Sequence, residues 1–378
     1  MVSEPASRLA ALNSRLAGSS NRRMVDALVA DQRHRLTLDR LAAAVLATAV
    51  HLVTVCFAVG GVVLLVVGNW PVRAAGLVCL LIAFGTRPAL PGRRLEQGAL
   101  VVDPSRAPQL VDLVREVAVR IGAPVPTRIL IIEDYNAYAA LTGWRQRTLA
   151  LGAPLWVSSS TDARLSLLGH ELGHFAHGDV LQGRYVGSAY ETLFHWADIL
   201  RPGTHVVSFG NAGLDTTLAK LVLSLPRAVV EAYRGLMELV AAPSGRRQEL
   251  HADLASARVA GTVGAVDGLE MLLAVEAVEV TMNRVAITDR RADLDAALRA
   301  WARTYDAVAR RSERHYAEAS RSRIDDSHPP TLERLRLVES TAETPLVSRA
   351  PSQWEAIDAE LAPYLRTALG ALADSYRG

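Results

Sequence analysis

Between Leu41 and Val72 the sequence contains no Asp, Glu, Lys or Arg, and an uncharged run of that length suits a lipid bilayer better than a soluble core. As helix it would extend about 48 Å at 1.5 Å per residue, against a hydrocarbon thickness of about 30 Å, so the chain must turn within it. Gly68-Asn69-Trp70-Pro71 is the expected turn, because glycine and proline break helices and tryptophan favours the membrane interface. A second, shorter apolar piece runs from Val72 to Gly85, with Arg73 close enough to its end to snorkel. The pattern predicts a transmembrane helical hairpin over 41–86. A cleaved signal peptide fits poorly, since the apolar region starts late, is long and lacks an obvious small-residue cleavage site.

The flanks orient the hairpin. Arg8, Arg15, Arg22, Arg23, Arg33, Arg35 and Arg40 precede it, and Arg87, Arg93 and Arg94 follow, so the positive-inside rule places both ends in the cytoplasm. The competing arrangement, one long span plus a buried or interfacial segment, would put the remaining chain on the outer side. Residues 1–40 read as an arginine-rich N-terminal region, 93–345 as the main domain and 346–378 as a C-terminal helical extension. Half of all residues are hydrophobic and the formal charge is +2. Lys220 is the only lysine; this bias toward arginine fits a GC-rich bacterial genome, and no nucleic-acid partner is expected. Cys56 and Cys79 both lie in apolar segments, which argues against a disulfide framework or a thiolate metal site.

After Gly92 the composition is that of a soluble domain. Leu110, Leu113, Val117 and Ile121 predict a helix over Pro104–Ile121, while Arg128–Ile132 and Arg147–Leu151 predict short strands. Ser158 to Asp162 offers helix N-caps, and the helix that follows runs to Gly178 with Leu165, Leu168, Leu172 and Phe175 as its buried stripe. From Tyr185 to Val240 the apolar sequence is interrupted by i,i+4 pairs, Arg227 with Glu231 and Arg234 with Glu238, which suits an amphipathic surface helix better than a span. Arg284–Arg323 reads as a long charged helix or helical pair, and Ser352–Tyr376 as a terminal amphipathic helix. The expected fold is mainly α with a small β-sheet, an α+β domain behind the hairpin.

Inside the helix ending at Gly178 stands His170-Glu171-Leu172-Gly173-His174. Imidazoles four residues apart project from one face and can grip one metal ion, with the carboxylate between them placed as a base. Zinc needs a third protein ligand and keeps one position open for water in catalytic sites. A histidine extension of the form HExxHxxGxxH is absent, because positions 177 and 180 are His and Val. Glu249, at the start of an alanine-rich helix, is the candidate third ligand, and Asp253 one turn later can receive the free ring N–H of a histidine ligand. His177 and His251 read as wall residues.

Together with His328-Pro329 and Arg334, these residues resemble the membrane-anchored zinc peptidases of the HtpX and CAAX-prenyl-protease type. The likeness covers roughly residues 100–340 and includes Asn136-Ala137-Tyr138-Ala139 and His177-Gly178-Asp179. It implies a zincin-type, glutamate-ligand metallopeptidase domain with one zinc ion per chain held by His170, His174 and Glu249. Asp253 and Arg334 would stand behind the ligands. Glu171 would be the general base, and protein or peptide substrates would lie extended against an edge strand formed by Arg147, Thr148, Leu149, Ala150 and Leu151, with Asn136 and Ala137 bordering the cleft. His328 can serve as oxyanion donor, as a fourth zinc ligand, or as a helix-start residue fixed by Pro329 and Pro330. The resemblance further implies a multi-pass protein of a bacterial inner membrane, with its catalytic domain in the cytoplasm and a role in membrane protein quality control. A non-catalytic zinc scaffold or sensor is the competing class, and the intact Glu171 argues against it. A prenyl-protein protease is disfavoured because the chain lacks the many spans needed to enclose a lipidated peptide. HtpX-type chains usually carry two more hydrophobic segments where 185–240 is interrupted by charge.

Overall fold

The computed structural model describes residues 18–29, 37–87, 98–142, 146–176, 179–201, 214–288, 293–319 and 329–376. His328, His177 and Gly178 lie outside them. In chain order the elements are α1 (18–29), α2 (Leu38–Val67), α3 (Trp70–Gly85), β1 (Leu100–Val101), α4 (Pro108–Ile121), β2 (Arg128–Ile132), β3 (Ala137–Thr142) and β4 (Gln146–Gly152). There follow α5 (Ala153–Ser158), α6 (Thr161–Ala176), α7 (Asp179–Ile199), α8 (Leu214–Leu273, broken at Gly261), α9 (Val275–Thr288), α10 (Leu294–Thr304), α11 (Ala307–Ala319), α12 (Thr331–Glu339) and α13 (Pro351–Ser375). The fold is mainly α with a small mixed sheet, as the sequence predicts. The chain forms two compact units, one of residues 1–35, 92–180 and 245–378, the other of 36–91 and 181–244. These cut across the linear segments read from the sequence, because the helices that complete each core come from distant parts of the chain.

The first unit is built on a sheet of order β1-β2-β4-β3, with β2 and β4 parallel and the outer pairs antiparallel. Strands buried on both faces read as continuous apolar runs: Ile129 to Ile132 and Thr148 to Gly152 are all buried. The structure therefore corrects the role expected of Arg147, Thr148, Leu149, Ala150 and Leu151. That strand is interior, paired on both sides, and among the described residues the edges are β1 and β3, of which β3 lies beside β4. Gly152 permits the close approach of the 134–136 segment, since a Cβ there would collide with the Asp134 and Asn136 carbonyl oxygens.

α4 begins at Pro108 rather than Pro104 and buries Leu110, Leu113, Val114 and Val117, and it stops at Gly122 in the left-handed region, φ 72°. Its first turn is capped from a distance: the Glu360 carboxylate accepts the Gln109 and Leu110 N–H groups at 3.0 and 3.1 Å. Glu360 sits on α13, whose Trp354, Ile357, Leu361, Leu365 and Leu369 are buried in the same core as α4, α5 and α6. Each such side chain contributes about 1.5–3 kcal/mol on burial, so the segment read as an extension is part of this unit's core. The charged stretch after Arg284 is divided into α9, α10 and α11; Asp293 caps α10 by accepting the Asp295 and Ala296 N–H groups.

In the second unit α2 and α3 form a helical hairpin with its break at Gly68 and Asn69, where the sequence places it. The two helices touch through glycine: a Cβ on Gly76 would lie 2.8 Å from the Gly61 carbonyl oxygen. Thr54 Oγ1 donates to the Thr86 carbonyl at 3.2 Å and ties the open end. Leu52, Val59, Val62 and Val66 remain more than half exposed, an apolar outer surface. Earlier in α2, Ala43, Ala47 and Val50 pack with Val186, Ala189 and Leu193 of α7 and Met237 of α8, and Tyr233 donates to the Leu46 carbonyl at 2.9 Å. Arg227–Glu231 and Arg234–Glu238 stand 3.9 and 3.8 Å apart, the i,i+4 pairs anticipated from spacing. One described helix, Leu38–Val67, is long and apolar enough to cross a membrane; α3, at 16 residues, is shorter. Cys56 and Cys79 are free thiols.

Candidate metal centre

α6 carries the HExxH residues, and the close approach of α8 completes the cluster. The approach depends on two glycines one turn apart. A Cβ on Gly169 would lie 2.9 Å from Ser256 Cα and Val259 Cβ, and one on Gly173 would lie 3.0 Å from Ala255 Cβ and 3.2 Å from Ala252 Cα. Rising numbers on α6 meet falling numbers on α8, so the helices run antiparallel, and the buried Ser166 and Ser256 hydroxyls bond at 2.8 Å along the seam. Residues 170 and 174 are thereby brought opposite 249 and 253. Glycine is an odd choice inside a merely structural helix, and at both Gly169 and Gly173 the reason is the closeness of α8.

His170 Nε2 and His174 Nε2 are 3.3 Å apart, and Glu249 Oε2 and Oε1 lie 3.6 Å and 3.7 Å from them respectively. Ligand atoms about 2.0–2.1 Å from a tetrahedral zinc would be separated by about 3.3–3.4 Å, so the donor set fits the ion in both kind and spacing. The three ligand atoms lie within 4.8 Å of one another. Their side chains are 14%, 17% and 12% exposed, so the cluster is largely but not fully buried. Glu171 is buried between the two histidines in sequence.

Behind the ligands, His170 Nδ1 is 3.0 Å from Asp253 Oδ1. Asp253 is gripped in turn by Arg334, whose Nε and Nη2 donate to its two oxygens at 2.8 and 2.7 Å. Arg334 Nη1 is also 3.6 Å from Glu249 Oε2. Since the carboxylate can only accept, Asp253 receives from both Arg334 and the His170 ring, which holds a proton on Nδ1 and leaves Nε2 facing Glu249. Burial acts to lower the His170 pKa, yet the hydrogen bonds to Asp253 and Glu249 prevail and push it up to about 10. The same carboxylates that attract that proton attract a metal cation. Burial would raise Asp253, but Arg334 and His170 hold its carboxyl below the usual range. Arg334 is kept above its ordinary value because Asp253, Glu249 and Glu171 outweigh its burial.

The remaining sequence candidates divide. His170, Glu171, His174, Glu249, Asp253 and Arg334 are brought together; His251 is buried, 5% exposed. Asn136 is exposed at the start of β3, its Oδ1 accepting the Ala137 N–H at 2.9 Å. Thr148, Leu149, Ala150 and Leu151 are fully buried, and Arg147 spends its Nε on the Val125 carbonyl at 2.9 Å. The edge the sequence misses is β3, packed against α6 and, among the described residues, paired with β4 alone. Its small residues Ala137, Ala139 and Ala140 lack the β-branched signature of a strand.

A helix-borne HExxH joined by a glutamate from an antiparallel partner helix defines the class of metal-dependent hydrolase centres that use a carboxylate third ligand. The chain belongs to peptidase family M48, whose model matches residues 104–342. It is similar to proteins named Protease HtpX from Pseudomonas putida, 28% identical over 179 residues, and Pseudomonas entomophila, 28% over 183, each match covering 46% of this chain and 58% of the relative. A Protease HtpX homolog from Thermococcus kodakarensis is 29% identical over 168 residues, 43% of this chain and 55% of the relative. The chain thus spans a little over half the length of these relatives.

Proposed function

We propose that this protein is a membrane-anchored, zinc-dependent endopeptidase that hydrolyses peptide bonds in protein substrates, acting in membrane protein quality control at the cytoplasmic face of a bacterial inner membrane. The observation that carries the reading is the convergence of His170, His174 and Glu249 at zinc-ligand spacing, with Glu171 buried beside them. The names of the relatives add peptide-bond cleavage. The apolar outer surface of the α2–α3 hairpin supports anchorage, and the arginines on both flanks support a cytoplasmic orientation.

His170, His174 and Glu249 would hold zinc, which when bound would supply Lewis acidity toward a water and a scissile carbonyl. Glu171 takes the proton of the attacking water and hands it to the leaving amine. Asp253 and Arg334 keep His170 in the tautomer whose Nε2 faces the cluster. The substrate adds as an extended strand along the side of β3 away from β4, from Asn136 and Ala137 onward, through backbone hydrogen bonds that tolerate varied side chains. His328 is the candidate donor to the developing oxyanion.

The test compares wild type with Glu171→Gln for zinc content and for cleavage of an unfolded protein such as casein. Both should hold one zinc per chain and only wild type should cut. Stoichiometric zinc in a wild type that cleaves neither casein nor itself would instead support a zinc-containing scaffold. Glu249→Gln should lose zinc, and retention of full affinity would remove it as a ligand. Topology reporters fused before Leu41 and after Gly92 should report the same side.

A further inference from the structure

Helix α1 lies outside the family-matched residues, in the arginine-rich region to which the proposed chemistry gives no task. It is amphipathic. Asn21, Val25 and Leu28 are buried at helical spacing, while Arg22, Arg23, Asp26, Ala27 and Val29 face outward. Val25 and Leu28, each 6% exposed, pack with Leu250 and Leu254 of α8 and with Leu337 of α12.

Those three contacts have a common property. Leu250 and Leu254 directly follow Glu249 and Asp253, and Leu337 is three residues beyond Arg334, on the adjoining turn of its helix. α1 therefore bridges the same two helices that the Arg334–Asp253 fork ties together. The fork decides where Asp253 Oδ1 meets His170, and a shift of α8 against α12 would act on the ligand set through it. Apolar packing across both helices opposes such a shift without touching a ligand.

We infer that α1 is a positioning element of the metal centre: through Val25 and Leu28 it sets the helix carrying Glu249 and Asp253 against the helix carrying Arg334, and so tunes metal affinity. This inference rests on the zinc reading of the site. The arginine-rich N-terminal region thereby contributes to the catalytic unit and not to the anchor alone.

The experiment measures zinc affinity of the full chain by chelator competition, at a temperature where circular dichroism shows each variant folded. Leu28→Ala and Leu337→Ala should each weaken zinc binding roughly three- to ten-fold, below the 10–100-fold typical of groups that contact a ligand directly. The double variant should be little worse than the weaker single, since both remove the same bridge. Leu28→Met, which refills the space, should restore affinity, and Arg23→Ala on the exposed face should match wild type. If Leu28→Ala does not fold, Val25→Ala removes less and gives the same readout. A folded Leu28→Ala or Val25→Ala with wild-type affinity and only a lower melting temperature overturns the positioning role, leaving α1 as packing. A wild-type chain that takes up no zinc overturns the metal reading and this inference with it.

Discussion

Gly169→Ala adds one methyl group to the seam between α6 and α8, and its effect can be worked from the contacts. The new Cβ would stand 2.9 Å from Ser256 Cα and Val259 Cβ, where carbon atoms prefer about 3.5 Å or more. Because one partner is backbone, no rotamer change relieves the clash, and the helices must part by about 0.6 Å to restore ordinary contact. The same movement stretches the His170–Glu249 and His174–Glu249 separations, now 3.6 and 3.7 Å, further from the roughly 3.4 Å that a tetrahedral zinc requires. Overpacking costs about 1–3 kcal/mol, and replacing a helical glycine by alanine returns up to about 1 kcal/mol. The net loss of stability is therefore small, about 0–2 kcal/mol, whereas zinc affinity should fall at least about ten-fold, as for other changes just behind a ligand. Chelator competition and thermal melting on the same samples separate the two quantities. Gly370→Ala is the control: it lies on α13 with open space around the added carbon, and should gain stability with zinc binding untouched. If Gly169→Ala binds zinc as wild type does and melts higher, the close-approach argument is wrong.

Arg334→Met strands the carboxylate of Asp253, 1% exposed, and should cost about 3–5 kcal/mol in chemical denaturation, with Arg334→Lys intermediate because an ammonium cannot form the two-pronged contact; a loss below about 1 kcal/mol would show that the fork is not a stabilising pair. Since Asp253 titrates below the usual carboxylate range in the folded protein, its contribution is present above the unfolded pKa and disappears as pH falls through the lower folded value. Acid unfolding of Arg334→Met should accordingly begin at a higher pH than in wild type, and coincident acid transitions would contradict that link. Val59→Arg places a charge on the outer surface of α2, where the side chain is 58% exposed; at a cost of about 2.5–3.5 kcal/mol in a bilayer centre, it should reduce the membrane-retained fraction, and unchanged retention would argue against insertion of this segment. Leu361→Ala, at a fully buried site of α13, should lower stability by about 2–5 kcal/mol, and a change within error would detach α13 from the core. Removal of zinc should lower the melting temperature, because ligand at about a thousand times its Kd contributes about 4 kcal/mol; an unchanged melt would mean that no zinc binds the folded state.

The sequence by itself determined the local chemistry. The uncharged run from Leu41 to Val72, broken at Gly68 and Asn69, sets the hairpin and its turn, because charge and backbone breaking act within a few residues. Histidines at 170 and 174 must share a helical face, and the stripes of α4, α6 and α13 follow from helical period alone. Glu249, Asp253 and Arg334 were legible only as candidates, since nothing in a linear spacing of about eighty residues says that they meet. Tertiary structure decided that they do, through the glycine seam at 169 and 173 and the fork from α12. It also reassigned the edge of the sheet from β4 to β3, drew α13 into the core and laid α1 across the helices that carry Glu249, Asp253 and Arg334. Strand order and helix docking are choices among long-range pairings of similar local propensity, and only the packing of the assembled core separates them.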